Sequence, residues 1–411
     1  MKRTLLTILS LVFALGSVFA GERIPGLIAS EKVIARSPDS AGIYLYTPAI
    51  AAGFDGRIVA AIDYGGPGTS ALDGPKSDIG DYASGNQVRV LLSDDKGRTW
   101  RDSGARLPMM HEILFKAGGR LYMIGHSGRL LISCSEDNGV SWSEPSVLRE
   151  DGRWHQSCGA VDIHKGTVSL VYEKWISEGH AWPGVGPVLM QADENSDLCN
   201  PDNWRFSGMY NPDPDMAACA PMGIPAVPGG TTEGAGILET SVVRVYEPGN
   251  PFYDPEDRSV VLLMRSAAGY RDLGVMLKGV RKEDGSLSIE KLRLNGREIF
   301  FMPIPGGRLK FHICHDPVTG LYWMVHSQIT GNMSERRRLA LSWSADLLNW
   351  TPAGLIAVGP ADNASRHYAT CMIDGDNLYV VSRSGDLEAK NAHDNNLTTF
   401  HVVKNFRRFA K

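Results

Sequence analysis

Six times along the chain a tight polar turn is followed at once by a short apolar, β-prone run. The copies are Asp55-Gly56-Arg57 before Ile58, Gly118-Gly119-Arg120 before Leu121, Lys165-Gly166-Thr167 before Val168, Asp257-Arg258-Ser259 before Val260, Thr319-Gly320-Leu321 before Tyr322, and Asp374-Gly375-Asp376 before Asn377. Such turns, each followed by a short run rich in β-branched and aromatic residues, predict strands entered through hairpins. Their recurrence predicts a repeat architecture. The spacing is slightly long for a four-stranded propeller blade, with one large insertion between Gly166 and Arg258. A small antiparallel sheet cannot cover both of its faces alone, so radial stacking of six such units supplies the core. The expected fold is all-β, a six-bladed β-propeller.

A second repeated element falls between these hairpins. Ser93-Asp94-Asp95-Lys96-Gly97-Arg98-Thr99-Trp100 and Ser135-Glu136-Asp137-Asn138-Gly139-Val140-Ser141-Trp142 both fit S-x-D-x-G-x-[ST]-W. The Asp accepts hydrogen bonds from its own turn, the Gly takes a positive φ, and the Trp is expected to pack between blades. These hairpins therefore read as structural staples at the outer edge. Ser344 to Trp350 is a shortened copy, and Asp193 to Trp204 a degenerate one. The stretch from Tyr210 to Gly236, dense in Pro and Gly with Asp213 and Asp215, breaks the pattern. It is expected to be a long loop walling a binding site, with a calcium loop as the alternative.

The amino terminus stands apart from the repeats. Lys2-Arg3 precede an apolar run from Leu5 to Val18 that ends in Val18-Phe19-Ala20. This pattern is that of a secretory signal cleaved after Ala20, leaving residues 21–411 as one propeller domain. The run is too short for a stable membrane span. Lys and Arg number 42 against 46 Asp and Glu, a net charge of −4 with no basic block, which excludes a phosphate-tracking nucleic-acid binder. The six Cys are too widely spaced for a zinc site, and nothing in the pattern calls for a metal or a cofactor. Export permits a disulfide, with Cys199 and Cys219 one pairing, while free thiols are the alternative.

The export signal, the six-fold repeat and the S-x-D-x-G-x-[ST]-W hairpins, known as Asp boxes, together resemble the sialidase superfamily over essentially the whole chain after residue 20. Tyr46-Thr47-Pro48-Ala49-Ile50, Gly307-Arg308-Leu309-Lys310-Phe311, Arg337-Arg338-Leu339-Ala340-Leu341 and the closing His393-Asp394-Asn395-Asn396 are similar to a divergent bacterial branch of it. The resemblance implies hydrolysis of a terminal sugar whose anomeric carbon bears a carboxylate. A carboxylate nucleophile would be repelled by that anion, and the family instead uses a Tyr activated by a Glu, an Asp as acid/base, and arginines that clamp the substrate carboxylate.

Mapped onto this chain, the resemblance implies Tyr368 as nucleophile, within Arg366-His367-Tyr368-Ala369-Thr370 ahead of the last turn, and Glu239 as its base. Arg265 and Arg337 become carboxylate clamps. The register within Arg336-Arg337-Arg338 is ambiguous, because successive strand side chains alternate faces. The Asp63 to Gln87 loop carries Asp63, Asp73, Asp78 and Asp81, and spacing favours Asp73 as the acid/base. Tyr46 stands where the family has its first clamp arginine, while Arg23-Ile24-Pro25 comes too early in the chain to replace it. Tyr46, Asp63, His155, Lys310, and His393 with Asp394, complete the candidate sugar contacts. The expected protein is a secreted, sialidase-like exo-glycosidase with a glycan as its partner. Alternatives are a hydrolase for another terminal sugar, a uronic acid or deoxysugar, and a non-catalytic glycan-binding propeller.

Overall fold

The computed structural model describes residues 26–80, 82–155, 159–180, 182–219, 236–331 and 335–410. The expected signal, its cleavage site, the Arg23-Ile24-Pro25 triplet, Asp81 and Cys158 lie outside these residues.

The strands pair into six antiparallel sheets. Blade one comprises Tyr44–Ala52, Ile58–Gly65, Gln87–Ser93 and Arg101–Leu107. Blade two comprises Met110–Ala117, Arg120–Ser127, Arg129–Ser135 and Ser146–Arg149. Blade three has a split first strand, Trp154–His155 and Asp162–His164, followed by Thr167–Trp175, Val185–Asp193 and Trp204–Phe206. Ile237–Val243, Ser259–Ser266, Leu273–Arg281 and Leu287–Leu294 make blade four, and Phe311–Asp316, Leu321–Ser327, Arg338–Ser344 and Thr351–Val358 make blade five. Blade six takes Arg366–Asp374, Asn377–Ser384 and Leu397–Lys404 from the carboxyl end and its fourth strand, Ser30–Arg36, from the amino end. This pairing of the two ends closes the ring, so the fold is a six-bladed β-propeller.

Each of the six sequence turns joins the first strand of a blade to its second. The apolar face of each sheet packs against the next blade. Ile113, Tyr122, Ile124, Trp154, Leu170, Tyr172 and Met190 form one such layer between blades two and three, and Trp323, Leu341, Ala369, Cys371, Val380 and Phe406 another between five and six. Among the described residues no helix is long and apolar enough to cross a membrane.

The S-x-D-x-G-x-[ST]-W segments join third strands to fourth. In the first, Ser93 Oγ donates to Asp95 and accepts from Gly97 N, while Thr99 N and Oγ1 donate to Asp95 at 2.8 and 2.6 Å. Those two bonds from Thr99 hold the Asp95 carboxyl at about 2. The second repeats the arrangement with Ser135, Asp137, Gly139 and Ser141. Gly97 has φ +84, and a Cβ there would lie 2.1 Å from the Phe400 ring, so both backbone and space demand glycine. Trp100 packs its edge on Phe400 in blade six, ring centroids 5.3 Å apart, while remaining part-exposed. Trp100→Ala is therefore expected to cost about 2 kcal/mol in urea unfolding, short of the ~3–5 kcal/mol of a fully buried aromatic.

Of the two cysteine alternatives the structure shows free thiols, and the expected loop contains a helix. Cys199 packs against the layer between blades two and three and Cys219 against blade four, and both are free thiols, as are Cys134, Cys314 and Cys371. Within the expected Tyr210 to Gly236 loop, Asp213–Ala218 forms a helix whose Met216 is fully buried against blade four, and residues 220–235 lie outside the described ones.

Candidate active site

The first strands of the blades run side by side around the axis, and four of them slip register at one level. The breaks fall between Leu45 and Pro48, Met110 and Ile113, Leu238 and Ser241, and His367 and Thr370. At each, two residues oppose one on the neighbouring strand, which is a β-bulge. In blades two, four and six the first bulged residue is His111, Glu239 or Tyr368, with φ +55, +62 and +49. A left-handed backbone costs of order 1–3 kcal/mol for such residues and persists where the surroundings enforce it. It takes these three side chains out of strand alternation and brings them to one end of the channel.

Tyr368 of blade six and Glu239 of blade four meet there. The Tyr368 hydroxyl donates to Glu239 Oε1 at 2.7 Å, and Arg265 Nη1 donates to both the Tyr368 oxygen at 2.7 Å and Glu239 Oε2 at 3.0 Å. All three are buried. Burial alone would raise the Glu239 carboxyl, but the Arg265 charge and the bonds from Tyr368 and Arg265 hold it below the ordinary carboxylate range. Burial raises the Tyr368 phenol, with Arg265 opposing. The resting trio is thus a neutral phenol between a carboxylate and a guanidinium, ready to lose its proton to Glu239 as its oxygen bonds elsewhere.

The trio opens onto a cavity of about 410 Å³ to which every blade contributes, lined in part by Tyr368, Arg265, Arg336, Arg153, His111 and His155. Arg336 lies over the Tyr368 ring at 5.5 Å and donates to His367 Nδ1 at 3.2 Å. Burial and then the charges of Arg336 and Arg383 hold the His367 imidazole well below its ordinary value, so it is neutral and accepts. Arg383 sits behind the cavity, its guanidinium 4.1 Å from the Tyr368 ring centre and 4.9 Å from that of Tyr46. Among the described residues Arg153, Arg336 and Arg383 have no carboxylate within ion-pair distance. Trp175 and the part-exposed Trp182 form an apolar ledge on the same cavity, with Arg153 stacked on Trp175 at 4.5 Å.

Arg337 does not line this cavity. Its guanidinium donates to Gly359 O and Pro360 O and lies 3.7 Å from Asp362, away from the cavity. Its neighbour Arg336 takes the inward face, the one-residue choice that alternation imposes. Asp73 is also displaced: it is exposed and tied to Arg89 and Arg106 at 2.7 and 3.3 Å on blade one. Asp78, from the same loop, pairs with Arg129. Tyr46, Asp63 and Lys310 are buried behind the cavity rather than lining it. Tyr46 donates to Asp394 at 3.0 Å, Asp63 accepts from Asn86 and from His111 N, and Lys310 donates to Ala369 O at 2.7 Å. His393, which lines the cavity, bonds Asp394 at 2.9 Å, and His155 lies 3.5 Å from Glu173.

Several residues escape sequence reasoning. Glu173 accepts from Glu239 N at 2.6 Å and from Thr240 N, so it fixes the strained bulge that carries Glu239. His111 and His126, 3.2 Å apart, form a pair whose imidazoles burial and neighbouring His155 hold well below the ordinary value. One sequence sign was available: His111 precedes its Gly118 turn by the same interval as Tyr368 precedes Gly375. Glu112, next on that bulge, is fully buried with no hydrogen-bond partner for either carboxyl oxygen among the described residues. Burial and then Asp63 push its carboxyl well above the ordinary range, so it is protonated in the folded state. A raised folded value means this group stabilises least at high pH, because only the unfolded chain releases the proton there. Glu112→Gln is accordingly expected to shift the melting temperature more favourably at pH 8 than at pH 4, as read by calorimetry at both.

The sequence matches no family model and no curated protein. Among solved structures, Trypanosoma rangeli sialidase in complex with sialic acid aligns with a TM-score of 0.58 at 14% identity, over 94% of this chain and 60% of its own. Hadza microbial sialidase aligns at 0.56 and 14%, over 91% and 68%. Penicillium chrysogenum alpha-L-arabinanase complexed with arabinobiose aligns at 0.52 and 12%, over 92% and 98%. The chain shares its six-bladed propeller fold with sialidases and an arabinanase. At such identities the likeness establishes the path of the backbone, and the chemistry of this propeller rests on its own side chains.

Proposed function

We propose that the propeller is a glycoside hydrolase for terminal acidic sugars, sialic acid first among them, exported by the signal at residues 1–20. The observation that supports this most is the Tyr368–Glu239–Arg265 trio facing a cavity with arginines that lack carboxylate partners. Such a cavity favours a ligand that brings its own anion. In this reading Arg265 and Arg336 hold the sugar carboxylate while the Tyr368 oxygen attacks the anomeric carbon and its proton passes to Glu239. His155, close to Glu173, protonates the departing oxygen, a role for which Asp73 is too remote. Water then releases the sugar from Tyr368.

A second reading, a hydrolase for a terminal uronic acid, is favoured by Tyr46. Where a first clamp arginine is expected there is a phenol bonded to Asp394, so the carboxylate is held from fewer directions. A panel of chromogenic sialosides, uronides, deoxysugar glycosides and neutral glycosides, assayed with wild type and Tyr368→Phe, tests both. Turnover of a sialoside that Tyr368→Phe abolishes supports the first reading, and turnover confined to a uronide supports the second. Binding without turnover anywhere on the panel would replace both with a lectin.

A further inference from the structure

Away from the active cavity the channel widens into a second one, of about 1040 Å³, walled in part by residues 242–244, 312–315 and 371–373 of the inner strands. Cys314 of blade five and Cys371 of blade six meet there with their sulfurs 3.7 Å apart. His312 Nδ1 lies 3.3 Å from the Cys371 sulfur. The glycosidase chemistry uses none of these groups. A disulfide needs a sulfur separation of about 2.05 Å, so side-chain rotation with a small strand adjustment would close this pair.

We propose that Cys314 and Cys371 form a dithiol site that reacts with low-molecular-weight disulfides and closes to a cross-link between blades five and six. The Cys371 thiolate attacks one sulfur of the incoming disulfide and expels the other half, which takes up a proton. Cys314 then gives up its proton to His312 or to water, attacks the Cys371 sulfur of the mixed disulfide, and releases the second half as a thiol. Two protein thiols are oxidised to one disulfide, and one small disulfide is reduced to two thiols. The surroundings suit these roles. The hydrogen bond between the two sulfurs, and then His312 working against burial, pull the Cys371 thiol below its ordinary value, whereas the Cys314 thiol is raised, first by that same hydrogen bond. Lys310 adds positive charge from blade five, and Asp162, Arg244, Tyr246, Glu247 and His315 are the other charged or titratable groups on the cavity wall.

The test uses the full chain, reduced, freed of reductant, exposed to oxidised glutathione and mapped by peptide mass spectrometry. Wild type is expected to yield a linked Cys314–Cys371 peptide pair. Cys314→Ser is expected to stop at a stable glutathione adduct on Cys371, and Cys371→Ser to leave Cys314 reacting at least tenfold more slowly. Iodoacetamide should alkylate Cys371 with a weaker pH dependence between pH 6 and pH 8 than an ordinary thiol of pKa about 8.5, which gains nearly tenfold per unit. Both thiols remaining free in wild type under excess glutathione disulfide would overturn the proposal, as would linkage of Cys134 to Cys199 with Cys314 and Cys371 untouched. Because the wild-type map decides alone, a variant that fails to fold leaves the test intact.

Discussion

Tyr368→Phe is expected to lower kcat by roughly a thousandfold or more while leaving affinity for an acidic sugar within about tenfold. The substitution removes one oxygen and nothing else. Arg265 and Glu239 keep their own contact at 3.0 Å, so the cavity wall survives the change. What disappears is the atom that, in the proposed mechanism, bonds the anomeric carbon. A free phenol, with a pKa near 10, is about 99.9% protonated at neutral pH, so the attack depends on Glu239 taking the proton. Glu239→Gln is therefore expected to lower kcat by a comparable factor. The acid limb of kcat/KM in the wild type should lie below the ordinary carboxylate range, because Arg265 and Tyr368 hold Glu239 there. Single-turnover assays on the substrate found in the glycoside panel provide the measurement. Near wild-type turnover by Tyr368→Phe would remove the tyrosine from the mechanism and point to a water activated beside His155.

How much of this was legible in the sequence follows from the physics of each element. The six hairpin turns and the two S-x-D-x-G-x-[ST]-W segments are local devices, with a turn residue, a capping Asp and a glycine at fixed offsets, so reading along the chain finds them. Closure of blade six by Ser30–Arg36 joins the two ends of the chain, and no local pattern announces it. The bulges are harder still. They work by violating the alternation that identifies a strand, so His111 and Glu112 read as polar interruptions at a strand start. Tyr368 and Glu239 were reachable only through family resemblance. Spacing within a loop favours Asp73, but loop spacing does not fix direction: the chain there turns it onto Arg89 and Arg106 instead. In the arginine run the uncertainty was one residue wide, which on a strand is the difference between cavity and solvent.

That one-residue difference supports the second large effect. Arg336→Met is expected to weaken binding of a carboxylate-bearing sugar about a hundredfold or more, since two charge-assisted hydrogen bonds of roughly 1.5–3 kcal/mol each are lost, whereas Arg337→Met stays within about threefold. Isothermal titration with the acidic sugar and an uncharged counterpart separates the carboxylate contribution from the rest. Stability should move in the opposite direction. Arg336 lies among Arg265, Arg383 and Tyr368, and burial and the two neighbouring cations push its guanidinium below its ordinary value. A cation held there without a carboxylate partner costs folding free energy that methionine, of similar reach, does not. The Arg336→Met chain is thus expected to melt higher than wild type while binding worse, and adding the acidic sugar should raise the wild-type midpoint far more than that of the variant. A fall in both stability and affinity would instead mark Arg336 as a structural prop for Tyr368, and would move the carboxylate to Arg153 beside blade three.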